Sequence, residues 1–270
     1  MFKYTWDFAP TLHFLGYPLR IYGLIYALCF LIGWQLIDWQ VNRGGGEERD
    51  TTWLIGLSFF GVWFGGRLGH FLFYETQLFL TDPFILFRLK RGGMASHGSL
   101  ALLFILLFLF SRIRKTSFID ILDRMTFPTA MGAGAVRIGN LFNSEVVGRL
   151  TDGSWGFRFP IYDYGKAQIP LRHPTQIYEA LLGFSIFAAL LLVERHYHKA
   201  GKDRPIGLLT GIAWLSYGVG RFVVEFWKEY QTIDPDAFFT MGQWLSSLPI
   251  LFGILMLFYS RKGIAARFGS

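Results

Sequence analysis

The sequence predicts an all-α fold, a polytopic membrane helix bundle of about seven transmembrane helices with a small extramembrane cap. The composition is the first observation behind this: 270 residues, 52% hydrophobic and 19% aromatic but only 17% charged, far from soluble averages. The second is the spacing of long apolar runs, which recur along the whole chain and are separated by short polar or basic segments. The third is a polar tract rich in glycine, proline and aromatics at residues 143–173, too long and too punctuated for a turn between helices and so read as a folded cap. No domain boundary, repeat or low-complexity tract interrupts the chain, so residues 1–270 read as one integral membrane domain. The net charge of +7 sits mostly in segments between apolar runs, which points to anionic lipid and excludes nucleic acid as a partner. Cys29 is the single cysteine, so no internal disulfide framework is available.

Residues 1–18 contain Asp7 and Pro10 and lack the basic, apolar and small-residue order of a cleaved signal peptide. The first span covers about residues 19–37, where Tyr22, Tyr26, Cys29 and Gly33 fall on one helix face. Two tyrosines on that face offer hydroxyls to a ligand or serve as belt aromatics. A loop VNRGGGEERD leads to the second span, about residues 53–74, where Gly61, Gly65 and Gly69 form a close-packing seam. Arg67 in the same span needs a carboxylate, a carbonyl or a phosphate. Residues 75–91 are amphipathic, with Pro83, and read as an interfacial segment. The third span opens at GGMASHGSL, so His97 enters the membrane in its first turns. Imidazole exchanges a proton near neutral pH, which makes His97 a candidate general base; a histidine bonded to a helix end is the other reading.

The fourth segment, about residues 118–135, is interrupted by Asp120, Asp123, Arg124 and Pro128 and feeds into GAGAVRIGNLFNSEVVGR. There Arg137, Glu145 and Arg149 lie among Asn140, Asn143 and Ser144, groups able to hold a polar head group. Gly132, Gly134 and Gly139 loosen or break the helix and admit a ligand or a neighbouring backbone. A charge near the bilayer centre costs roughly 2.5 to 3.5 kcal/mol, so such residues pair, face a cavity or bind something. An Arg137–Glu145 ion pair locking two helices and a ligand site both fit. Span five starts at HPTQIYEAL, and the later His196 and His198 read as surface residues and not as a metal site. Span six, about residues 206–227, places Tyr217, Arg221 and Glu225 on one face, and span seven covers about residues 241–259. The Lys and Arg content of the loops is nearly even between the two sides. The denser basic clusters after spans one, three, five and seven favour an outside N-terminus.

Four segments in order carry a resemblance: GGMASHG, VRIGNLFNSEVVGR, RHPTQIYEA and YGVGRFVVEFWK. Together they resemble the bacterial prolipoprotein diacylglyceryl transferases, over nearly the whole chain. The departures are Val136 and Ser144, where that family commonly has glycine, and Val147, where tryptophan is frequent. The resemblance implies transfer of the diacylglyceryl group of phosphatidylglycerol to the lipobox cysteine thiol of a prolipoprotein, in the bacterial inner membrane with the active site toward the periplasm and without metal or organic cofactor. It implies Arg137 and Arg221 as phosphate clamps and His97 as the base that deprotonates the thiol. Asn140, Glu145, Gly148, Tyr22, Tyr217 and Glu225 would bind or orient the lipid. A transporter or flippase for an anionic lipid or solute is the alternative; it too wants intramembrane arginines, but the internal repeat with matched broken helices that such proteins show is missing from the sequence.

Overall fold

The protein was analysed as a computed structural model that describes residues 2–44, 46–88, 92–229 and 238–268. In chain order the elements are β1 (Phe2–Thr5), β2 (Thr11–Phe14), β3 (Tyr17–Arg20), α1 (Ile21–Arg43), α2 (Glu48–Phe73), α3 (Thr76–Thr81), α4 (Ser96–Arg114), α5 (Phe118–Phe142), β4 (Trp155–Arg158), α6 (Thr175–Lys199), α7 (Leu208–Val224) and α8 (Met241–Phe268). Each predicted span corresponds to one long helix, and the six-residue α3 is additional. The helices α1, α4, α6 and α8 are long and apolar enough to cross a membrane. The other long helices, α2, α5 and the 17-residue α7, do not reach the same combination of length and apolar content. The fold is an all-α membrane class with two small two-stranded sheets among the described residues.

The helices run past their predicted ends because hydropathy does not register polar terminal turns. Val41 to Arg43 of the expected loop complete α1, and Glu48 to Asp50 begin α2. Asp38 fastens this end by accepting hydrogen bonds from Asn42, at 2.9 Å, and Thr51, at 3.2 Å.

Packing divides the chain into a unit of residues 34–124 and a unit of residues 1–33 with 125–270. In the smaller unit the glycine seam of α2 meets α4. A Cβ on Gly98 would lie 2.4 Å from the Gly65 carbonyl oxygen, and one on Gly65 would lie 2.6 Å from the Gly98 carbonyl oxygen, so neither position accepts a side chain. Arg67 is buried, 3% exposed, and finds carbonyls. Its Nε donates to Leu86 O at 3.0 Å, and its Nη2 donates to Ile85 O at 2.9 Å and Arg88 O at 3.0 Å. Its Nη1 donates to Gly92 O. One guanidinium thereby closes the 3-10 turn Pro83–Phe87 and ties the segment leading into α4 to α2. Apolar side chains of that segment lie on both sides, with Leu80, Phe84 and Phe87 exposed and Ile85 and Leu86 buried; residues 89–91 of it lie outside the described residues.

In the larger unit, β1 pairs in parallel with β4, Phe2 opposite Trp155 through Thr5 opposite Arg158. This brings Trp6 onto a buried cluster of Leu141, Val147, Phe157 and Phe159. Asp163 and Arg172 pin the cap, with Arg172 Nε donating to Asp163 Oδ2 at 2.8 Å and Nη2 to Oδ1 at 3.0 Å. Burial works to raise the Asp163 pKa, but hydrogen bonds from Arg172 and Lys166 outweigh it and hold the carboxyl below its ordinary 3.8. A lowered folded-state pKa means this contribution is present above that ordinary value and lost as pH falls below it.

The glycines of residues 132–149 do not break the helix. α5 is continuous from Phe118 to Phe142, through Pro128. Gly134 instead permits contact with α6: a Cβ on Gly183 would lie 2.5 Å from the Gly134 nitrogen. The backbone approach expected there is present, and the helix break is not, because intrahelical bonding survives a glycine once tertiary packing holds it.

Candidate active site

α5, α6 and α7 of the larger unit converge on one buried carboxylate. Glu179, on α6 and 5% exposed, lies 3.0 Å from Arg137 Nε of α5, 3.5 Å from Arg221 Nε of α7 and 3.3 Å from Lys228 Nζ. Arg137 Nη1 donates to Asn140 Oδ1 at 3.3 Å, and Asn140 Nδ2 donates to Glu145 Oε2 at 3.3 Å. Arg221 Nη1 pairs with Glu225, one turn on. Each guanidinium thus lies in ion-pair range of Glu179 through Nε and meets a second partner through Nη1, and the Nη2 of each has no hydrogen-bond partner among the described residues. The arginine side chains are 25% and 19% exposed, whereas Glu179 is 4%. The carboxylate is therefore buried while the arginine side chains stay partly exposed and keep an unused N–H donor each, the groups that receive a phosphate or carboxylate.

The Arg137–Glu145 pair considered from sequence does not form. Arg137 pairs with Glu179, and the two residues are linked only through Asn140. Glu145 lies beyond the end of α5 in a turn where Ser144 and Val146 adopt φ of 53° and 57°, and there Asn140 and Asn143 hold its carboxylate. Left-handed backbone is unfavourable for serine and more so for a β-branched valine. Ser144 therefore stands at a position whose backbone favours glycine. Two fully buried side chains hold the turn: Thr175 Oγ1 donates to Val146 O at 2.9 Å and Gln176 Nε2 donates to Glu145 O at 2.7 Å.

Gly148 acts through backbone approach. Its N–H donates to His173 O at 2.9 Å, and the next N–H, of Arg149, donates to Trp227 O at 2.9 Å. This places residues 227 and 228 beside the cap and carries Lys228 to Glu179. A Cβ on Gly148 would lie 2.5 Å from His173 O and 2.6 Å from Trp227 O. Gly148→Ala is therefore expected to push this three-way junction apart and lower product formation at least tenfold, with a drop in thermal stability of about 1–3 kcal/mol; wild-type activity and melting in a detergent-solubilised preparation would refute the requirement. His173 beside it is fastened by Tyr178, whose hydroxyl lies 3.1 Å from Nδ1 and accepts from Trp155 Nε1 at 2.7 Å. Burial pushes the His173 pKa below its ordinary value.

Tyr22 packs its ring where Gly139 leaves room: a Cβ there would lie 2.7 Å from the ring. It stacks on Tyr26 at 5.9 Å between centroids, which confirms the shared face. Tyr217 is 38% exposed and is not drawn into the hydrogen-bonded group. His97 belongs to the smaller unit, in the first turn of α4. Its exposed ring rests against Phe73 at 5.0 Å and Tyr74 at 6.0 Å between centroids, and its nitrogens have no hydrogen-bond partner among the described residues. Among the described residues no bond from His97 to a helix end is formed. Sequence reasoning missed Glu179 and Lys228. The available signals were an intramembrane glutamate inside HPTQIYEAL and a lysine seven residues after Arg221.

The sequence profile of the prolipoprotein diacylglyceryl transferases matches residues 10–259. The chain is 38% identical over 260 residues to the phosphatidylglycerol–prolipoprotein diacylglyceryl transferase of Chloroherpeton thalassium, covering 95% of this chain and 94% of that one. It is 39% identical to the protein of the same name from Pseudoalteromonas atlantica, over 93% and 89% of the two chains, and 37% identical to that of Vibrio cholerae, over 94% and 92%. A match of this extent, with the three quoted motifs of the larger unit contributing to one ion-pair group around Glu179, means that the chain belongs to the prolipoprotein diacylglyceryl transferase family.

Proposed function

We propose that the protein transfers the diacylglyceryl group of phosphatidylglycerol to the lipobox cysteine thiol of a prolipoprotein, forming a thioether and releasing sn-glycerol 1-phosphate. The observation that carries this reading is the pair of guanidiniums ordered on Glu179 with an unused donor edge on each. Phosphatidylglycerol brings one negative phosphate, and charge grows on the oxygen that leaves. Donors already oriented by Glu179, Glu225 and Asn140 stabilise that charge without reorganising. Lys228 adds a third cation behind the two arginines.

The bond changes balance simply. The cysteine thiolate sulfur attacks the glyceryl carbon, the carbon–oxygen bond to the phosphate breaks, and the electron pair leaves on the phosphate oxygen. The thiol proton goes to His97, since the thiolate and not the thiol is the nucleophile. Purified protein given phosphatidylglycerol and a lipobox peptide is expected to yield the peptide heavier by one diacylglyceryl group together with free glycerol phosphate, read by mass spectrometry. A peptide left unmodified while the lipid is bound would overturn the reading.

The protein resides in the bacterial inner membrane with its N-terminus outside, so that the cap of residues 143–173 meets prolipoproteins on the periplasmic side. The uneven density of basic loop clusters supports this orientation. A cysteine introduced by Lys166→Cys, with Cys29→Ser, is expected to react with an impermeant maleimide added from outside; labelling from the cytoplasmic side alone would reverse the orientation.

A further inference from the structure

The β2–β3 hairpin separates two chemistries by strand alternation. Its register sets Leu12 opposite Leu19 and Phe14 opposite Tyr17, with Thr11 opposite Arg20 and His13 opposite Pro18 between them. Successive side chains point to opposite faces. One face is therefore Leu12, Phe14, Tyr17 and Leu19, and the other is Thr11, His13, Pro18 and Arg20. The apolar face is bare: Leu12 is 52% exposed, Phe14 63%, Tyr17 74% and Leu19 37%. At the turn Leu15, 83% exposed, and Gly16 take φ of 49° and 81°, the twist that closes a two-residue hairpin. A lone two-stranded hairpin is marginal in water and needs something against its apolar face.

What lies against it is settled by the next residue. Arg20 is followed directly by Ile21, the first residue of α1, a helix long and apolar enough to span a bilayer. The Ile21 N–H donates to Pro10 O at 2.9 Å, which ties the base of the hairpin to the start of that helix. α1 continues the exposed apolar surface with Leu24, Leu28, Leu31 and Ile32. Four residues of strand reach only about 13 Å, so the hairpin stays at the depth where the span enters the membrane. Tyr17 and Arg20 are residue types that favour that boundary.

We propose that the β2–β3 hairpin is an interfacial blade, lying on the lipid bilayer with Leu12, Phe14, Tyr17 and Leu19 in the boundary between head groups and acyl chains and Thr11, His13 and Arg20 in water. The occupant of the apolar face is lipid, and the blade anchors the entry of α1, the helix that carries Tyr22.

The test uses the chain's single cysteine to advantage. In a Cys29→Ser background, Thr11→Cys, Leu12→Cys, His13→Cys and Phe14→Cys are each labelled with an environment-sensitive fluorophore and reconstituted into vesicles of phosphatidylcholine and phosphatidylglycerol. Labels at positions 12 and 14 are expected to emit at shorter wavelength and to be quenched several-fold more by lipids carrying a shallow nitroxide than by iodide. Labels at 11 and 13 are expected to show the reverse. If any variant does not reconstitute, the same alternation is read from Pro18→Cys and Leu19→Cys on β3. Iodide quenching at all positions would overturn the proposal. So would protection of positions 12 and 14 that arises only when a lipobox peptide is added, since the face would then belong to the peptide.

Discussion

Arg137→Lys is expected to lower thioether formation by about 10²-fold or more while leaving the protein folded in its membrane, and Arg221→Lys is expected to do the same. Each guanidinium has Nε in ion-pair range of Glu179 and gives Nη1 to a second partner, so Nη2 is the donor left for phosphate. Lysine keeps the charge but has one nitrogen. It can pair with Glu179 or reach the phosphate, but it cannot do both in a fixed geometry. Loss of one preorganised donor at a developing oxyanion costs about 10²- to 10³-fold in rate. Arg→Ala is expected to be worse, because it also strands Glu179 without one of its partners. The measurement is initial rate with lipobox peptide at saturating phosphatidylglycerol, beside a melting curve that reports folding separately. Near wild-type turnover in either lysine variant would remove that arginine from the clamp.

His97→Ala is expected to lose about 10²- to 10⁴-fold in turnover with phosphatidylglycerol binding essentially unchanged, because a general base acts on the transition state and not on ground-state affinity. The structure leaves the ring exposed and its nitrogens without a partner among the described residues, packed edgewise against Phe73 and tilted against Tyr74. Among the described residues no hydrogen bond or ion pair rests on the imidazole, so the loss should appear in rate with little change in melting. His97→Asn is the sharper variant, since it keeps size and hydrogen bonding but cannot accept the proton near neutral pH. If it turned over at a near-normal rate, the thiol would lose its proton by another route.

Much of this arrangement was legible because it is written in local periodicity. The four-residue spacing of Gly61, Gly65 and Gly69 marked a seam before its partner α4 was known, and the partner turned out to be the helix that begins with His97 and Gly98. The intramembrane position of Arg137 and Arg221 marked them as residues in need of partners. The partner itself was not legible. Glu179 lies 42 positions from each of the two arginines, and only the packing of α5 and α7 against α6 brings it between them. The nearer carboxylate, Glu145, was the natural choice from sequence and the wrong one, since α5 continues to Phe142 and the left-handed turn at Ser144 and Val146 directs Glu145 to the asparagines. Glycines in α5 looked like breaks because their weak helix propensity is visible in sequence, whereas the tertiary contact of Gly134 with Gly183 that holds the helix is not.

The corrected pairing supplies the decisive variant. If Arg137 serves only to neutralise Glu179, then Arg137→Gln combined with Glu179→Gln removes that pair while Glu225 still holds Arg221, and should restore a folded protein with near wild-type activity relative to Glu179→Gln alone. If the guanidinium holds the lipid phosphate, the same double variant folds but has lost its cation. Thioether formation by the purified Arg137→Gln, Glu179→Gln protein, measured by mass spectrometry with its melting curve alongside, separates the two. A folded protein with product at least about 10²-fold below wild type is the predicted result, and recovery of thioether formation to near the wild-type rate would contradict the account.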